Sequence, residues 1–452
     1  MGQILIKNGY LVTMDAELLV YDKGDILIED DLIKEVGNFS HELVKRDAEI
    51  IDARGKIILP GFVNTHVHTS QQLGRGLGDD VPLIIWLNER ILPYENNLTE
   101  DDSYISTLLC ILEQIRAGVT TFAEAGGQHV NGMARAVSEA GIKGILAQST
   151  VDCGEGTPKE YIMDTQEVLD MQENNLKKWH NKFNGRIKVW FGLRTLFNNT
   201  DELIVRSKEL ADKHNVGVHM HVAEIPEENK LRDTSTVKHL NNLGVLDRNF
   251  LAVHSVWITD EEIELFLKND VKVSHNPASA MRVLGFAKIP EMIDKGVIVS
   301  IGTDGAPASN RMNMIDEMWV TSLIHKGRTH DPSIMPAEEI LKMATIKGAK
   351  ALLWENEIGS IEKGKKADIT IINPNTPGML PLHDPIANLV TSMHSSNVES
   401  VICDGRWIMK ERKILTLDEN AIIEEAKIRA DFIAKRAGIK LPDRFKTIRS
   451  NE

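Results

Sequence analysis

The feature that most limits the fold of this chain is a regular alternation of apolar runs and helical patterns over residues 60–357. Eight of the runs are short and rich in β-branched residues, as buried parallel strands are. Parallel strands need long crossover connections, and eight strands that each precede a helix close into a barrel. The pattern therefore predicts an α/β fold, a (β/α)8 TIM-like barrel. The eight runs are 62–68, 119–122, 143–148, 187–191, 216–221, 251–254, 271–274 and 297–301.

The two ends of the chain carry a different pattern from the middle. Residues 1–59 contain short strand-like runs separated by turn residues, and residues 358–415 repeat this style. Neither end is long enough to suggest a separate fold of its own. We therefore expect a small β-sandwich domain built from both termini, with 1–59 as its first part and 358–415 as its second, flanking the barrel at 60–357.

The last part of the chain, 416–452, is expected to be a C-terminal helical tail. An apolar pattern of helical period covers 418–440 and predicts an amphipathic helix. The side expected to face the protein carries Ala421, Ile422, Ala426, Ile428 and Ile433.

Composition limits the partners and the compartment of the protein. The 452 residues carry a net charge of −14 at pH 7 without a basic block, which argues against nucleic acid or an anionic membrane as partner. No run of about 18 apolar residues and no signal-peptide pattern occurs, so we expect no membrane span. Cys110, Cys153 and Cys403 are too few and too scattered for a disulfide framework, which favours a cytoplasmic location.

Two histidines follow the first apolar run, in the pentapeptide Asn64-Thr65-His66-Val67-His68. Residues two apart on a strand face the same side, so both imidazoles can bind one metal ion. A pair of this kind is a weak signal by itself. It gains weight only if other strand ends supply the missing ligands.

Later strand ends do supply such residues. His221 ends the fifth run, His254 ends the sixth, and Asp304 follows the eighth. In a barrel these ends meet at one mouth, where barrel enzymes carry their chemistry. Three or four imidazoles and one or two carboxylates would converge there, which suits a divalent zinc or iron ion that holds one water. Glu224 lies three residues past His221 and is placed to work as an acid or base.

The remaining histidines have simpler interpretations. His219 shares its strand face with His221, and we expect it to be buried inside the barrel. His275 is expected to be structural or to support the ligands. The others are expected to be solvated, in helices or loops: His325, His330, His383 and His394.

The order of these motifs resembles the amidohydrolase superfamily over essentially the whole chain. The matching motifs are NTHVH, HVAE, HSVWITDEE, SHNP and SIGTDG. No lysine at the end of the fourth run fits a bridging ligand, so the resemblance implies one divalent ion, Zn2+ with Fe2+ as the alternative. The ligands that it implies are His66, His68, His221 and Asp304.

Two branches of the superfamily share further motifs with this chain. One contains the 5'-methylthioadenosine/S-adenosylhomocysteine deaminases, and the other contains the triazine hydrolases, such as melamine deaminase and atrazine chlorohydrolase. Residues 76–87 resemble both branches. Residues 219–226 and 278–286 look particularly like the triazine enzymes.

Other residues favour a nucleoside substrate or count against it. Residues 92–95 resemble the segment of adenosine deaminases whose glutamate, here Glu95, binds the ribose hydroxyls. Ala308 stands near where the dechlorinating triazine enzymes place polar residues, which weakens a chlorohydrolase reading. Arg194, however, occupies the loop where the deaminases usually carry a histidine, and it could donate to a ring nitrogen or carbonyl or simply pair with a carboxylate. The loop at 151–156 lacks the arginine expected for a homocysteine carboxylate, so a smaller substrate is favoured.

The resemblance implies an aminohydrolase acting on C–N bonds in cyclic amidines. It would deaminate an amino-substituted N-heterocycle, such as 5'-methylthioadenosine, 5'-deoxyadenosine or another aminopurine. In the implied mechanism Glu224 protonates the ring, His254 steadies the attacking oxygen, and Asp304 passes a proton to the leaving ammonia. Trp86 and Leu83 would form walls for the ring.

The alternatives are an s-triazine hydrolase, a hydrolase of cyclic amides, and a non-catalytic scaffold. The intact set of predicted ligands argues against the last of these. The expected partners are a small heterocyclic substrate and, by analogy with other barrels, further copies of the same chain in a homo-oligomer.

Overall fold

The computed structural model describes residues 2–157 and 159–441, and the strands follow the alternation seen in the sequence. In chain order the strands are β1 (Gln3–Val12), β2 (Val20–Glu29), β3 (Leu32–Gly37), β4 (Glu49–Asp52), β5 (Ile57–Pro60), β6 (Phe62–Val67), β7 (Val119–Glu124), β8 (Lys143–Leu146), β9 (Ile187–Val189), β10 (Phe191–Leu193), β11 (Val218–Val222), β12 (Phe250–His254), β13 (Lys272–His275), β14 (Val299–Ile301), β15 (Ile369–Ile372), β16 (Val398–Cys403), β17 (Arg406–Lys410) and β18 (Lys413–Ile414).

Helices separate the barrel strands and continue to the C-terminal end of the described chain. The α-helices are α1 (Leu83–Trp86), α2 (Leu92–Asn96), α3 (Glu100–Arg116), α4 (Val130–Ala140), α5 (Thr165–Trp179), α6 (Asp201–His214), α7 (Thr236–Asn242), α8 (Asp260–Lys268), α9 (Pro277–Ser279), α10 (Ile289–Asp294), α11 (Ala306–Ser309), α12 (Met314–Thr329), α13 (Ala337–Ala344), α14 (Ile346–Ala351), α15 (Pro385–Thr391) and α16 (Glu419–Arg436). Two wider π-helical turns, Leu87–Ile91 and Ala280–Leu284, follow α1 and α9 directly.

Local signals in the sequence set the ends of several helices. Helix α8 begins after Thr259, whose hydroxyl accepts from the backbone N–H of Glu262, while the Glu262 side chain accepts from the N–H of Thr259. Such a reciprocal cap satisfies two N–H groups that a helix start leaves without partners. Thr99 caps α3 in the same way with Asp102.

Strands β6 to β14 form the predicted barrel, so the predicted fold class is confirmed. All neighbouring strands are parallel, in the orders β6-β7-β8-β9 and β10-β11-β12-β13-β14. The fourth strand is split at Trp190: its first half, β9, pairs with β8, and its second half, β10, pairs with β11. The split strand therefore joins two half-sheets into one wall.

The barrel closes where β14 meets β6. The backbone N–H groups of Thr303 and Asp304 both donate to the carbonyl of His66, at 3.0 and 2.9 Å. Gly302 permits this approach, because a Cβ at that position would lie 2.8 Å from the backbone nitrogen of His66. Closure therefore brings Asp304 beside the first histidine of the HxH pair.

The two ends of the chain share one sheet. Its order is β18-β17-β16-β15-β5-β1-β2-β3, with β4 added beside β1. Strand β15 pairs antiparallel with β5, which links the C-terminal strands to the N-terminal ones. The sheet has a hydrophobic core of its own, separate from that of the barrel, which includes Ile4, Ile6, Leu11, Ile26, Ile28, Ile369, Ile371 and Ile402.

Two further expectations concern the domain boundaries and the C-terminal tail. The domain boundaries at 1–59, 60–357 and 358–415 stay a prediction, and 442–452 of the predicted tail lie outside the described residues. The predicted helix of the tail is α16, with Ile422 and Ile433 buried, but Ile428 is 54% exposed, so its predicted place on the buried side is wrong.

The structure also bears on the expectations about membrane spans and cysteines. Within residues 2–157 and 159–441, no helix combines the length and the apolar character that a membrane crossing requires. The three cysteines are free thiols, as predicted; Cys110 and Cys403 are buried and Cys153 is partly exposed.

A buried ion cluster joins the barrel to the sheet. Lys143, at the start of β8, donates to Asp368 at 2.6 Å and pairs with Asp404, and all three side chains are nearly inaccessible to solvent. Burial alone would lower the pKa of Lys143, but the charge of Asp368 and its neighbours raises it. The amine therefore stays charged and balances two buried carboxylates.

Replacing Lys143 by methionine is expected to destabilise the protein by about 3–5 kcal/mol, because two buried carboxylates would lose their counter-charge. Denaturant unfolding followed by circular dichroism measures this change. Lys177→Met is the matched control: that lysine is 59% exposed and pairs with Glu173 on the same helix, so its loss should cost no more than about 0.5 kcal/mol. Equal effects of the two substitutions would contradict the importance of the cluster.

Candidate metal centre and active-site cavity

The barrel brings the predicted strand-end residues together at one point. His66 and His68 belong to the end of β6, His221 to β11 and His254 to β12, and Asp304 follows β14. All five side chains are buried. Two sets of three have ligand atoms within 4.8 Å of one another: His66, His221 and His254, and His66, His68 and Asp304.

The spacing of the nitrogen and oxygen atoms fits one small ion. His68 Nε2 lies 3.2 Å from His221 Nε2 and 3.6 Å from Asp304 Oδ1, and His66 Nε2 lies 3.5 Å from the same oxygen. Ligand atoms about 2.0–2.1 Å from a tetrahedral zinc ion lie about 3.3–3.4 Å apart. The four residues could therefore hold a divalent ion without a large rearrangement.

Contacts at the ring nitrogens that face away from this centre orient the other nitrogen of each imidazole toward it. His221 Nδ1 lies 2.8 Å from the carbonyl of Arg194, an acceptor, so Nδ1 carries the proton and Nε2 has the lone pair. His68 Nδ1 has no hydrogen-bond partner, and Glu124 Oε1 lies 3.9 Å away; a proton on this Nδ1 would leave Nε2 of His68 with a lone pair as well. Two lone pairs would then face each other at 3.2 Å, an arrangement that a shared cation relieves.

His66 also has one nitrogen in contact with a neighbour and the other facing the centre. Its Nδ1 lies 2.9 Å from Nε2 of His219, while its Nε2 is buried and has no hydrogen-bond partner. The two rings share one proton along that contact, and a proton on His66 Nδ1 leaves Nε2 free as a ligand. His219 is fully buried in the barrel, as predicted, and it orients His66.

His254 differs from the other three histidines. The side-chain amide nitrogen of Asn276 donates to His254 Nδ1 at 3.1 Å, and burial lowers the pKa of His254 to about 3. The ring is therefore neutral, and its proton lies on Nε2, which faces Glu224 at 3.5 Å and Asp304 at 3.7 Å. His254 is thus a hydrogen-bond donor within the site, and its Nε2 lone pair is not available to an ion.

The two carboxyl groups of the centre have opposite protonation. Burial raises the pKa of Glu224 well above its ordinary value, and Glu228 and Asp304 raise it further, so the site favours the protonated form of this carboxyl. Burial would also raise the pKa of Asp304, but the nearby imidazoles of His66, His254 and His68 outweigh it and hold the pKa of Asp304 well below the usual range. An acid and a base therefore share one cavity.

Two residues at the centre have a backbone conformation that is rare for side-chain-bearing residues. His254 has a φ of 64° and Asp304 a φ of 61°. Left-handed conformations of this kind cost free energy and persist where the surroundings enforce them, most often at functional sites. Asp304 is held by the hydroxyl of Ser279 at 2.5 Å and by the N–H of Gly305 at 2.6 Å.

A cavity of about 560 Å3, counted out to its open mouth, leads to these residues. Trp86 and Leu83, which were predicted to form walls for the ring, line it. Both π-helical turns contribute to the wall through Leu87, Val283 and Leu284. The mixture of apolar walls and a few polar groups is typical of pockets for small molecules.

The two remaining predicted site residues form an ion pair. Arg194 lines the cavity, whereas Glu95 is 1% exposed and lies behind it. One nitrogen of Arg194, Nη1, donates to both oxygens of Glu95 at 3.0 and 2.9 Å. Glu95 therefore meets Arg194 in the wall, and its predicted role in binding ribose is not favoured by this arrangement.

Sequence reasoning missed some residues that act on the site. Glu124 ends β7 and could have been found by the same strand-end rule that gave the ligands. Asn276 directly follows β13, so the same rule reaches it as well. Glu228 carries no comparable signal; it accepts from the N–H of Glu224 at 2.9 Å, and burial raises its pKa to about 7. His325 was expected in solvent, but it is buried and contacts His275 at 3.1 Å, because α12 packs its inner face on the barrel.

The other three histidines of that group, His330, His383 and His394, are exposed as expected.

Known proteins resemble this chain over nearly its whole length. The profile of the amidohydrolase family matches residues 57–408, and the chain belongs to this family. A 5'-deoxyadenosine deaminase from Methanobrevibacter smithii is 39% identical over 94% of this chain and 96% of its own length. A 5-methylthioadenosine/S-adenosylhomocysteine deaminase from Thermoanaerobacter pseudethanolicus is 37% identical over 96% of this chain and 100% of its own. The predicted family and hydrolase class are confirmed.

Solved structures agree with the fold. An adenosine deaminase from Xanthomonas campestris, with zinc bound, superposes with a TM-score of 0.90 at 25% identity, covering 96% of this chain and 99% of that one. An atrazine chlorohydrolase from Arthrobacter aurescens, complexed with zinc, gives a TM-score of 0.87 at 23% identity, covering 94% and 100%. At that identity the second likeness shows the shared fold alone.

Burial raises the pKa of Glu124 to about 8, and a cation nearby would favour its ionised form. Glu124→Gln is expected to weaken divalent-ion binding by about 10–100-fold, because an amide cannot ionise to offer His68 a charged acceptor. Competition against a chromogenic chelator measures the affinity. Glu139→Gln, at an exposed position on α4, is the matched control and should leave the affinity unchanged. Unchanged affinity in the Glu124 variant would mean that this carboxylate does not orient His68.

Proposed function

We propose that this protein is a metal-dependent hydrolytic deaminase, which releases ammonia from an amino-substituted N-heterocycle. The observation that carries the proposal is the placement of two carboxyl groups with opposite pKa shifts, raised at Glu224 and lowered at Asp304, in one cavity beside a cluster of buried imidazoles. The relatives named as deaminases over nearly the whole chain support it. Adenine nucleosides are the first substrates to assay, because those relatives are described as acting on them.

The proposed ion is one Zn2+, with Fe2+ as the alternative, held by His66, His68, His221 and Asp304. The unpartnered Nε2 of His66 and the facing nitrogens of His68 and His221 support this set. Three imidazoles and one carboxylate suit either ion. Zinc is favoured because the similar adenosine deaminase binds it. A divalent ion here would act as a Lewis acid and lower the pKa of a coordinated water to about 7.

Glu224 starts the reaction in the proposed mechanism. Because burial favours the protonated form of its carboxyl, Glu224 can donate its proton to the ring nitrogen next to the amino-bearing carbon. That carbon then becomes a better electrophile for the attacking water. When the carbonyl of the product forms, the last water proton returns to Glu224, so the acid is regenerated.

Asp304 and His254 act on the attacking water and the leaving amino group. The ionised Asp304 accepts the first proton of the attacking water and passes it to the amino group, which leaves as ammonia. His254 donates from Nε2 and steadies the oxygen as it attacks, because Asn276 fixes the proton on that nitrogen. Both residues with left-handed backbones thus act on the same oxygen, and their side chains lie 3.7 Å apart.

The expected location in the cytoplasm, the homo-oligomeric state and the domain boundaries remain predictions beside this proposal.

Glu224→Gln is expected to lower kcat by about 100–10,000-fold, because the amide cannot supply the proton that the ring nitrogen needs. Ammonia release from 5'-deoxyadenosine, with other aminopurines in parallel, gives the rate, and elemental analysis gives the metal content. The metal content should not change. A variant that keeps near-wild-type turnover would remove Glu224 from the mechanism.

Removing the ion is expected to abolish ammonia release without unfolding the protein. Dialysis against a chelator, followed by addition of Zn2+ or Fe2+ under anaerobic conditions, measures which ion restores turnover. Circular dichroism before and after chelation is the control for folding. Full turnover in protein shown to be free of metal would refute the proposed role of the ion.

A further inference from the structure

The ion pair in the cavity wall points to a feature of the substrate. Glu95 accepts two hydrogen bonds from Arg194 Nη1 and one from the Gln71 side chain at 2.7 Å. Arg194 Nη1 also lies 3.3 Å from the hydroxyl of Ser149. Glu95 is therefore saturated and buried. A ribose diol could reach it only after the arginine had moved away, which would leave a buried charge without its partner.

The rest of the cavity offers no replacement for Glu95. Glu224 and Asp304 are the only carboxylates among its described lining residues, and both belong to the reaction centre. The remaining wall is mostly apolar: Leu83, Ile84, Leu87, Phe197, Val283 and Leu284. Vicinal hydroxyls placed against these side chains would lose their hydrogen bonds to water without new ones.

Arg194 itself has unused donors at the cavity. Every hydrogen bond that its guanidinium makes to the described residues uses Nη1. The Nε and Nη2 groups are left for a ligand, and the guanidinium carries five N–H donors and no acceptor. Arg194 lines the same cavity as Glu224, His68 and His221, so its guanidinium lies within reach of a ring bound at the centre.

We propose that Arg194 binds a ring carbonyl oxygen, and that the preferred substrate is an aminoheterocycle with an oxo group, such as an amino-oxopurine base, in place of a ribonucleoside. The inference rests on the proposed deaminase function and narrows its substrate class. When water attacks the amino-bearing carbon, electron density moves into the ring and onto a conjugated oxygen. A fixed cation at that oxygen stabilises the transition state more than the ground state.

Substrate pairs that differ by one oxo group test the proposal in the wild-type holoenzyme. Isoguanine is adenine with an oxo group at C2, and both lose the same amino group. Ammeline and melamine form a second pair, and 5'-deoxyadenosine represents the ribose-bearing class. We expect kcat/KM to be about 100-fold higher with the oxo group in at least one pair, and higher than for 5'-deoxyadenosine.

Preference for 5'-deoxyadenosine over every oxo compound would overturn the proposal and leave the deaminase function intact. Absence of ammonia from all five would count against the deaminase function itself.

A double variant separates substrate binding from a structural role. Arg194→Met with Glu95→Gln removes the cation without leaving a buried carboxylate unpaired. It should lower kcat/KM for isoguanine about 100-fold and change that for adenine less than 3-fold. Arg206→Met with Glu202→Gln removes an exposed pair on α6 and is the matched control. Equal losses on isoguanine and adenine would make Arg194 a structural residue.

Product binding provides a readout that does not depend on turnover. Xanthine and hypoxanthine, the products from isoguanine and adenine, differ by the same oxo group, and calorimetry gives their Kd values. Wild-type protein should bind xanthine at least 10-fold more tightly, and the double variant should bind the two about equally. Equal binding by the wild type would contradict an oxo-binding role for Arg194, even if the double variant failed to fold.

Discussion

The site depends on the contacts made on the far side of each imidazole ring. Backbone closure brings β6, β11 and β14 together, but proximity alone would leave the ring nitrogens free to turn or to carry protons toward one another. The Arg194 carbonyl and His219 hold two of the rings from behind, and Glu124 faces the third. The lone pairs are thereby aimed at one point, and a cation is the group that this point suits. His254 is held from behind by a donor and so acquires a different role from its three neighbours.

Burial is the second condition on which this chemistry depends. In a water-filled cleft Glu224 would be ionised and could not donate a proton at pH 7. Packed beneath apolar walls it stays neutral, while Asp304, equally buried, stays charged because the imidazoles surround it. The same low-polarity environment therefore yields an acid and a base, since their neighbours differ.

Much of this could be predicted from the sequence, and the reason is geometrical. In a parallel barrel every strand end points to the same mouth, so polar residues that follow apolar runs identify the site without knowledge of their contacts. That rule gave His66, His68, His221, His254 and Asp304, and the period-2 rule placed His219 inside the barrel. The pairing of Arg194 with Glu95 lay beyond such rules, because their residues are 99 positions apart and only the fold joins them. His325 was misjudged for a related reason: helix α12 has a weakly one-sided pattern, and the burial of one of its faces depends on what packs against it.

The pairing of β5 with β15 has a consequence for the order in which the protein can assemble during synthesis. Strand β5 ends at Pro60, and its antiparallel neighbour begins at Ile369, so about 300 residues must be added after one edge is made before the other exists. At translation rates of about 5–20 residues per second this is an interval of some 15–60 seconds. Throughout it, the N-terminal strands present an open edge that neighbouring nascent chains on the same messenger could pair with. The C-terminal strands thus cover the free edge of the N-terminal strands. A chain that ends before β15 would leave this edge exposed even if its barrel had formed.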